Sequence, residues 1–97
     1  WGDFDITLQG GESRRVTVRT WSSADRMTVG RGSRSLKRLF ADAGIPAELR
    51  DSLPVVCVDG TPHAVYGIKE RTAPHSGETI QIIINKRENH KEDTGNG

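Results

Sequence analysis

The sequence predicts an α+β fold: a small single domain, mostly antiparallel strands with one well-defined amphipathic helix and one short helix. Three observations carry that expectation. Several short segments alternate apolar and polar residues with a period of two. One segment carries apolar residues at helical spacing between matched start and stop signals. The connections between them are rich in glycine, proline, serine and aspartate. Ninety-seven residues supply one modest core and not two. The expected domain is residues 1–85, followed by a disordered polar tail over 86–97 that holds no apolar residue.

Phe4, Ile6 and Leu8 alternate with Asp5 and Thr7, the pattern of a half-buried strand. Gly10-Gly11-Glu12-Ser13 supplies a turn. Arg15-Val16-Thr17-Val18-Arg19 alternates again, which directs Val16 and Val18 to the core and Arg15, Thr17 and Arg19 outward. These two segments are expected to form a first hairpin. Residues 21–27 read as a loop. Trp21 either covers the edge of the core or stacks on a base, and the lack of a companion aromatic favours the core. Asp25 is expected to pair with Arg26 or another neighbour, or to cap a turn.

The helix lies within residues 30–46. Leu36, Leu39, Phe40 and Ala43 recur at i, i+3, i+4 and i+7, forming one apolar stripe, with Arg34, Lys37 and Arg38 on other faces. Ser33 is the expected N-cap. Gly44 suits the left-handed position after the last turn, Ile45 can fold back on Phe40, and Pro46 stops the helix. Residues 46–53 then read as a short helix, with proline in its first turn and Leu49 and Leu53 as an i, i+4 pair. Val55-Val56-Cys57-Val58 is the run expected of a central strand covered on both faces. Asp59-Gly60 marks a tight turn, and Ala64-Val65-Tyr66-Gly67-Ile68 a partner strand whose glycine signals a bulge or a close approach. A loop over residues 72–77 and a final strand over 79–84 complete the domain.

The net charge of +1 conceals a strong asymmetry. Residues 14–38 hold eight Lys or Arg against the single acid Asp25, a local charge of +7, while the segments on either side carry −3 each. Such a distribution describes either a basic face that meets phosphates or a solvated surface balanced by distant carboxylates. The turn Gly30-Arg31-Gly32-Ser33-Arg34 adds to the first reading, because a helix follows it. Helix N-terminal amides attract anions, glycines let a phosphate approach, and Arg31 and Arg34 add full charge. The alternative is that the glycines only make the turn and the arginines only solvate it.

Catalytic constellations are missing. His63, His75 and His90 stand far apart, with no spacing suited to zinc. Cys57 lies inside an apolar run, as a buried structural thiol does. Glu48/Asp51 and Glu92/Asp93 fall on a helix surface and in the tail, where nothing encloses them enough to raise a pKa. Gly10-Gly11-Glu12-Ser13 precedes no helix and is not a nucleotide loop. A single cysteine excludes an internal disulfide and suits a reducing compartment, and no apolar run approaches the length of a membrane span. A cytoplasmic location is expected. The chain begins at Trp1 without a methionine and reads as a piece of a longer protein.

Residues 16–68 resemble the C-terminal module of tRNA(Ile)-lysidine synthase. The matching blocks are Val18-Arg19-Thr20-Trp21, Asp25-Arg26, the run from Gly30-Arg31-Gly32-Ser33-Arg34 through Ser35-Leu36-Lys37-Arg38-Leu39-Phe40, Ala43-Gly44-Ile45-Pro46, Leu49-Arg50-Asp51, Pro54-Val55-Val56, Asp59-Gly60 and Val65-Tyr66-Gly67-Ile68. Their order is more specific than any one of them. Ser23-Ala24 stands before Asp25 where many members carry Pro-Gly, and the N-terminal segment and the tail align with nothing in the family. The resemblance implies a small α+β module that helps recognise the tRNA body at the acceptor stem. It implies a parent enzyme that joins lysine to the wobble cytidine of isoleucine tRNA. The ligase chemistry, with ATP and magnesium (Mg), would sit in a separate catalytic domain of the same parent chain. No cofactor is expected in this module, no membrane partner, and no catalytic residue: the parent's Ser-Gly-Gly-x-Asp-Ser loop is absent. Carried over position by position, the RNA-contacting candidates are Arg31, Arg34, Lys37, Arg38, Arg26 and Arg50. The alternative is a module that docks on the catalytic domain without touching RNA.

Overall fold

The computed structural model describes residues 1–30, 32–72 and 80–87. In chain order the elements are β1 (Phe4–Gln9), β2 (Val16–Arg19), β3 (Arg26–Val29), β4 (Gly32–Ser35), α1 (Leu36–Asp42), α2 (Ala47–Arg50), β5 (Val55–Val58), β6 (Thr61–Val65) and β7 (Gln81–Lys86). Strands β2-β5-β6 form a central sheet, while β1-β7 and β3-β4 are two-stranded ribbons. All pairings are antiparallel.

The layering follows from alternation along β5. Val55 and Cys57 pack with Met27, Leu36, Leu39, Phe40, Val65 and Ile68, whereas Val56 packs with Phe4, Ala64 and Ile84. The central sheet therefore lies between α1 with β3-β4 on one face and the β1-β7 ribbon on the other. All four residues of β5 are buried, as a strand covered on both faces requires.

The expected first hairpin does not form. β1 pairs with β7, Ile6 opposite Ile84 and Leu8 opposite Ile82, and β2 pairs with β5, Val18 opposite Val56. Gly10 and Gly11 both take positive φ, +86° and +68°, and turn the chain away. Asp59 then fixes the departure: its carboxylate accepts Arg14 Nη1 at 2.9 Å and the Arg15 amide at 3.1 Å, and its own amide donates to Arg15 O at 2.7 Å. The isoleucines of β7 give β1 a larger apolar partner than the two valines of β2 would.

Residues 26–35, where the end of a loop at Met27, a turn at Gly30–Arg34 and a helix capped by Ser33 are expected, form the β3-β4 hairpin, anchored by Met27 with no exposed surface. The helix consequently starts at Leu36, and its N-cap is Ser35 rather than Ser33: Ser35 Oγ accepts the Arg38 amide at 3.1 Å. Its other end is as expected. Gly44 sits at φ +75°, with Ile45 N donating to Phe40 O and Gly44 N to Ala41 O, both at 3.0 Å. Leu36, Leu39 and Phe40 are buried, but Ala43 is exposed, although its φ of −84° and its amide bond to Leu39 O continue the helical path. α2 keeps only four helical residues, followed by turns through Ser52 and Leu53. β6 begins at Thr61, earlier than expected, and admits Pro62 at a register shift in its pairing with β5. Gly67, at φ +88°, is the expected close approach: an added Cβ would lie 3.0 Å from Ile45 Cδ1. β7 runs on through Lys86. Arg87 then donates from its amide to Asp3 O at 2.7 Å, so packing extends past the expected boundary at residue 85. The rest of the expected tail (88–97) and the loop residues 73–79 lie outside the described residues.

Candidate nucleic-acid interface

Of the basic stretch, Arg26, Arg34, Lys37 and Arg38 fall on β3-β4 and α1, while Arg14 and Arg15 stand beside Asp59 and Arg19 ends β2. Arg19 grips Asp25 as a fork, Nη1 to Oδ2 and Nη2 to Oδ1, both at 2.9 Å. Asp25 Oδ2 also accepts the Ser22 amide at 2.7 Å, and the backbone carbonyl of Asp25 accepts the Leu36 amide at 2.9 Å. The hydrogen bonds from Arg19 hold the Asp25 carboxyl below the usual carboxylate range against the opposing effect of burial, and the Ser22 amide adds to them. Asp25 thus caps a turn, as expected. Its ionic partner is Arg19, expected to face outward, and not Arg26.

Arg26 is exposed and spans the hairpin, donating to Ser33 Oγ and Ser33 O at 3.0 Å each. Arg34 is exposed on β4, across from Met27. Lys37 and Arg38 are exposed on α1, where a turn of about 100° per residue sets Lys37 beside the buried stripe and Arg38 opposite it. Arg38 Nε lies 3.3 Å from Asp42 Oδ1 in a solvated i, i+4 pair. Among the described residues, Arg34 and Lys37 have no hydrogen-bond or ion-pair partner for their side chains. Arg31 lies outside the described residues. Arg50 stands apart, on α2: its Nε donates to Ile45 O at 3.0 Å, and its guanidinium lies 5.4 Å from the Phe40 ring centroid. Arg34, Lys37 and Arg38 thus follow one another across the β4-α1 junction, while Arg26, opposite Ser35 in the register, projects from the other face of the ribbon than Arg34.

The anticipated cradle of helix amides at Gly30–Arg34 is not there. Gly30, at φ +61°, belongs to the hairpin turn and Gly32 opens β4, so a strand separates both glycines from the helix. The Leu36 and Arg38 amides already donate to Asp25 O and Ser35 Oγ. Phosphate recognition at this corner would rest on side chains. Trp21 is the lid of the core: its ring meets Phe40 edge-on at 5.3 Å, and its Nε1–H donates to Asp51 at 3.0 Å.

Elsewhere, His63 is buried with Nδ1 donating to Thr61 O at 2.9 Å. Burial pushes the Cys57 thiol up. Among the described residues no three His, Cys, Asp or Glu side chains gather as metal ligands, and no helix is long and apolar enough to cross a membrane. A groove of about 330 Å³ opens between α2 and the β1-β7 ribbon, lined by Phe4, Ile45, Leu49, Leu53, Tyr66 and Lys86 among others. Sequence reasoning missed the Arg19–Asp25 pair and the anchor Met27. The available signal was Asp25 itself, the sole acid in a basic block and the natural sink for one of its arginines.

The family described as the TilS substrate C-terminal domain matches residues 16–83. A tRNA(Ile)-lysidine synthase of Methylococcus capsulatus is 38% identical over 76 residues, a match covering 74% of this chain and 17% of that protein. A crystal structure of a TILS C-terminal domain superposes with a TM-score of 0.66 at 28% identity, covering 92% of this chain and 75% of the other. The chain thus spans less than a fifth of the length of the curated relative.

Proposed function

The chain belongs to the TilS substrate C-terminal domain family, and from that premise we propose that it recognises tRNA as an accessory module of a tRNA(Ile)-lysidine synthase. The partner is the body of isoleucine tRNA at the acceptor stem. In this reading the catalytic domain of the same parent chain performs the ligation with ATP and magnesium, and this module supplies no cofactor site and no catalytic group. The observation that carries the reading is the β4-α1 junction. Among the described residues, Arg34 and Lys37 stand there without partners beside the loosely paired Arg38, next to the buried stripe Leu36, Leu39 and Phe40 of α1. A-form RNA is read largely by shape, phosphates and 2′-hydroxyls, so cations on a rigid scaffold suffice without aromatic stacking.

Arg34, Lys37 and Arg38 are the proposed phosphate contacts, with Arg26 a further candidate and Arg31, outside the described residues, proposed on its charge alone. Arg50 supports the end of α1 from beneath rather than touching RNA. Replacing Lys37 and Arg38 together by alanine is expected to lower the slope of log affinity against log salt by roughly 1.4–1.8, two contacts' worth. Unchanged tRNA affinity would count against the reading. It would leave the second one, docking on the parent's catalytic domain, which the apolar groove and the half-exposed Leu49 on its wall favour.

A further inference from the structure

We propose that Arg19 and Asp25 are positioning residues for RNA binding: their ion pair holds the β3-β4 hairpin against the start of α1 and so fixes where Arg34, Lys37 and Arg38 stand, without itself touching RNA. The inference rests on the RNA-binding reading above and deepens it.

Among the described residues, the β3-β4 ribbon forms no ladder with either of the other sheets. Its orientation on the domain is set by the packing of Met27 and Val29 on the core, by the approach of β3 to β6, and by the tie at its base. Asp25, immediately before β3 and 9% exposed, is that tie. Its carboxylate receives both Nη groups of Arg19 at the end of β2, a strand of the central sheet, and the Ser22 amide as well. Its carbonyl receives the first amide of α1. One residue thus joins the central sheet, the hairpin and the helix. The three proposed contacts lie on β4 or within two residues of Leu36. Arg19 Nη1 also donates to Thr20 O at 2.9 Å, which fixes the fork from the other side. A bidentate fork sets an angle as well as a distance, which a lysine cannot do.

The sign of one substitution separates positioning from simple charge. Asp25 is the only acid in residues 14–38, so removing its charge strengthens RNA binding if the field alone matters. Positioning predicts the opposite. Asp25→Asn, Arg19→Lys, Val56→Ala and the Lys37→Ala/Arg38→Ala double variant are compared by binding of an isoleucine tRNA transcript over a salt series, at a temperature where circular dichroism shows each one folded. Asp25→Asn is expected to bind more weakly, with a salt slope lowered by about 0.7–0.9 for each cation that leaves the RNA. Arg19→Lys keeps the charge but loses the fork, and is expected to weaken binding to a lesser degree. Val56→Ala, on the far face of the central sheet, is expected to melt earlier and bind as the parent chain does. Equal or tighter binding by Asp25→Asn overturns the proposal, as does unchanged binding by Arg19→Lys. The latter variant decides alone if Asp25→Asn does not fold, because the Arg19 side chain is 40% exposed and tolerates exchange. If the double variant weakens binding while the other two do not, only the positioning role has failed. If the double variant also binds normally, the RNA reading has failed with it.

Discussion

The central sheet is closed on its two faces in different ways. On the α1 side, Met27, Leu36, Phe40, Val55, Cys57 and Val65 expose nothing. On the ribbon side, Phe4 and Ile84 keep 5% and 9% of their surface, and Ile6, Ile82 and Tyr66 are only partly buried. Charge is distributed the opposite way. Arg87 on the ribbon is bound to Asp5 and to the carbonyls of Gly2 and Phe4, which leaves Lys86 at the rim of the groove. The α1 side presents Arg34, Lys37 and Arg38 to solvent. The face whose large side chains are the more fully buried thus presents Arg34, Lys37 and Arg38 to a polyanion. A binding surface profits from that arrangement, since little has to be ordered when the partner arrives.

The largest effect that would break this contrast is in the core. Phe40→Ala is expected to cost about 3–5 kcal/mol by chemical denaturation, with Phe4→Ala near or below the lower end of that range. Equal costs would mean that the two layers are packed alike. Acid should act next. The Asp25 carboxyl is held low in the folded chain, so its contribution is complete above about 3.9, the ordinary aspartate value, and disappears as pH falls through the lowered folded value. Asp25→Asn should therefore lose less stability than the unsubstituted chain as pH falls below about 3.9. Superimposable acid profiles would contradict the role given to the pair. Smallest in stability, the exposed Lys37→Ala/Arg38→Ala pair should shift unfolding by within about 0.5 kcal/mol. On the opposite face, Arg87→Ala should speed hydrogen exchange at Ile6 and Ile84 and leave the salt slope for tRNA unaltered. A slope that fell would move RNA contact to the ribbon.

Local signals were legible where their physics is local. The stripe Leu36, Leu39, Phe40 and the stop Gly44-Ile45-Pro46 define α1 because each acts within a turn of its neighbours. The β5 run and the Asp59-Gly60 turn could be read for the same reason. Strand pairing could not, because the partner of β1 is chosen by isoleucines some seventy-five residues away rather than by the adjacent glycines. The β3-β4 hairpin escaped notice because Arg26, Thr28, Gly32, Ser33 and Arg34 offer little apolar alternation and only Met27 is fully buried. That omission moved the expected N-cap from Ser35 to Ser33 and turned a hairpin into a helix-borne phosphate cradle. The basic corner itself was visible as charge. Its geometry was not, since whether an arginine is free or held, as Arg34 and Arg50 are, depends on contacts across the fold.

The proposed role is tested most directly by a chemical-shift titration of the labelled chain with an acceptor-stem minihelix. RNA recognition by the basic corner predicts amide shifts concentrated at residues 26–38, fading as salt is raised. No shifts there at low salt, or shifts gathered at Phe4, Ile45, Leu53 and Tyr66 around the groove, would contradict it.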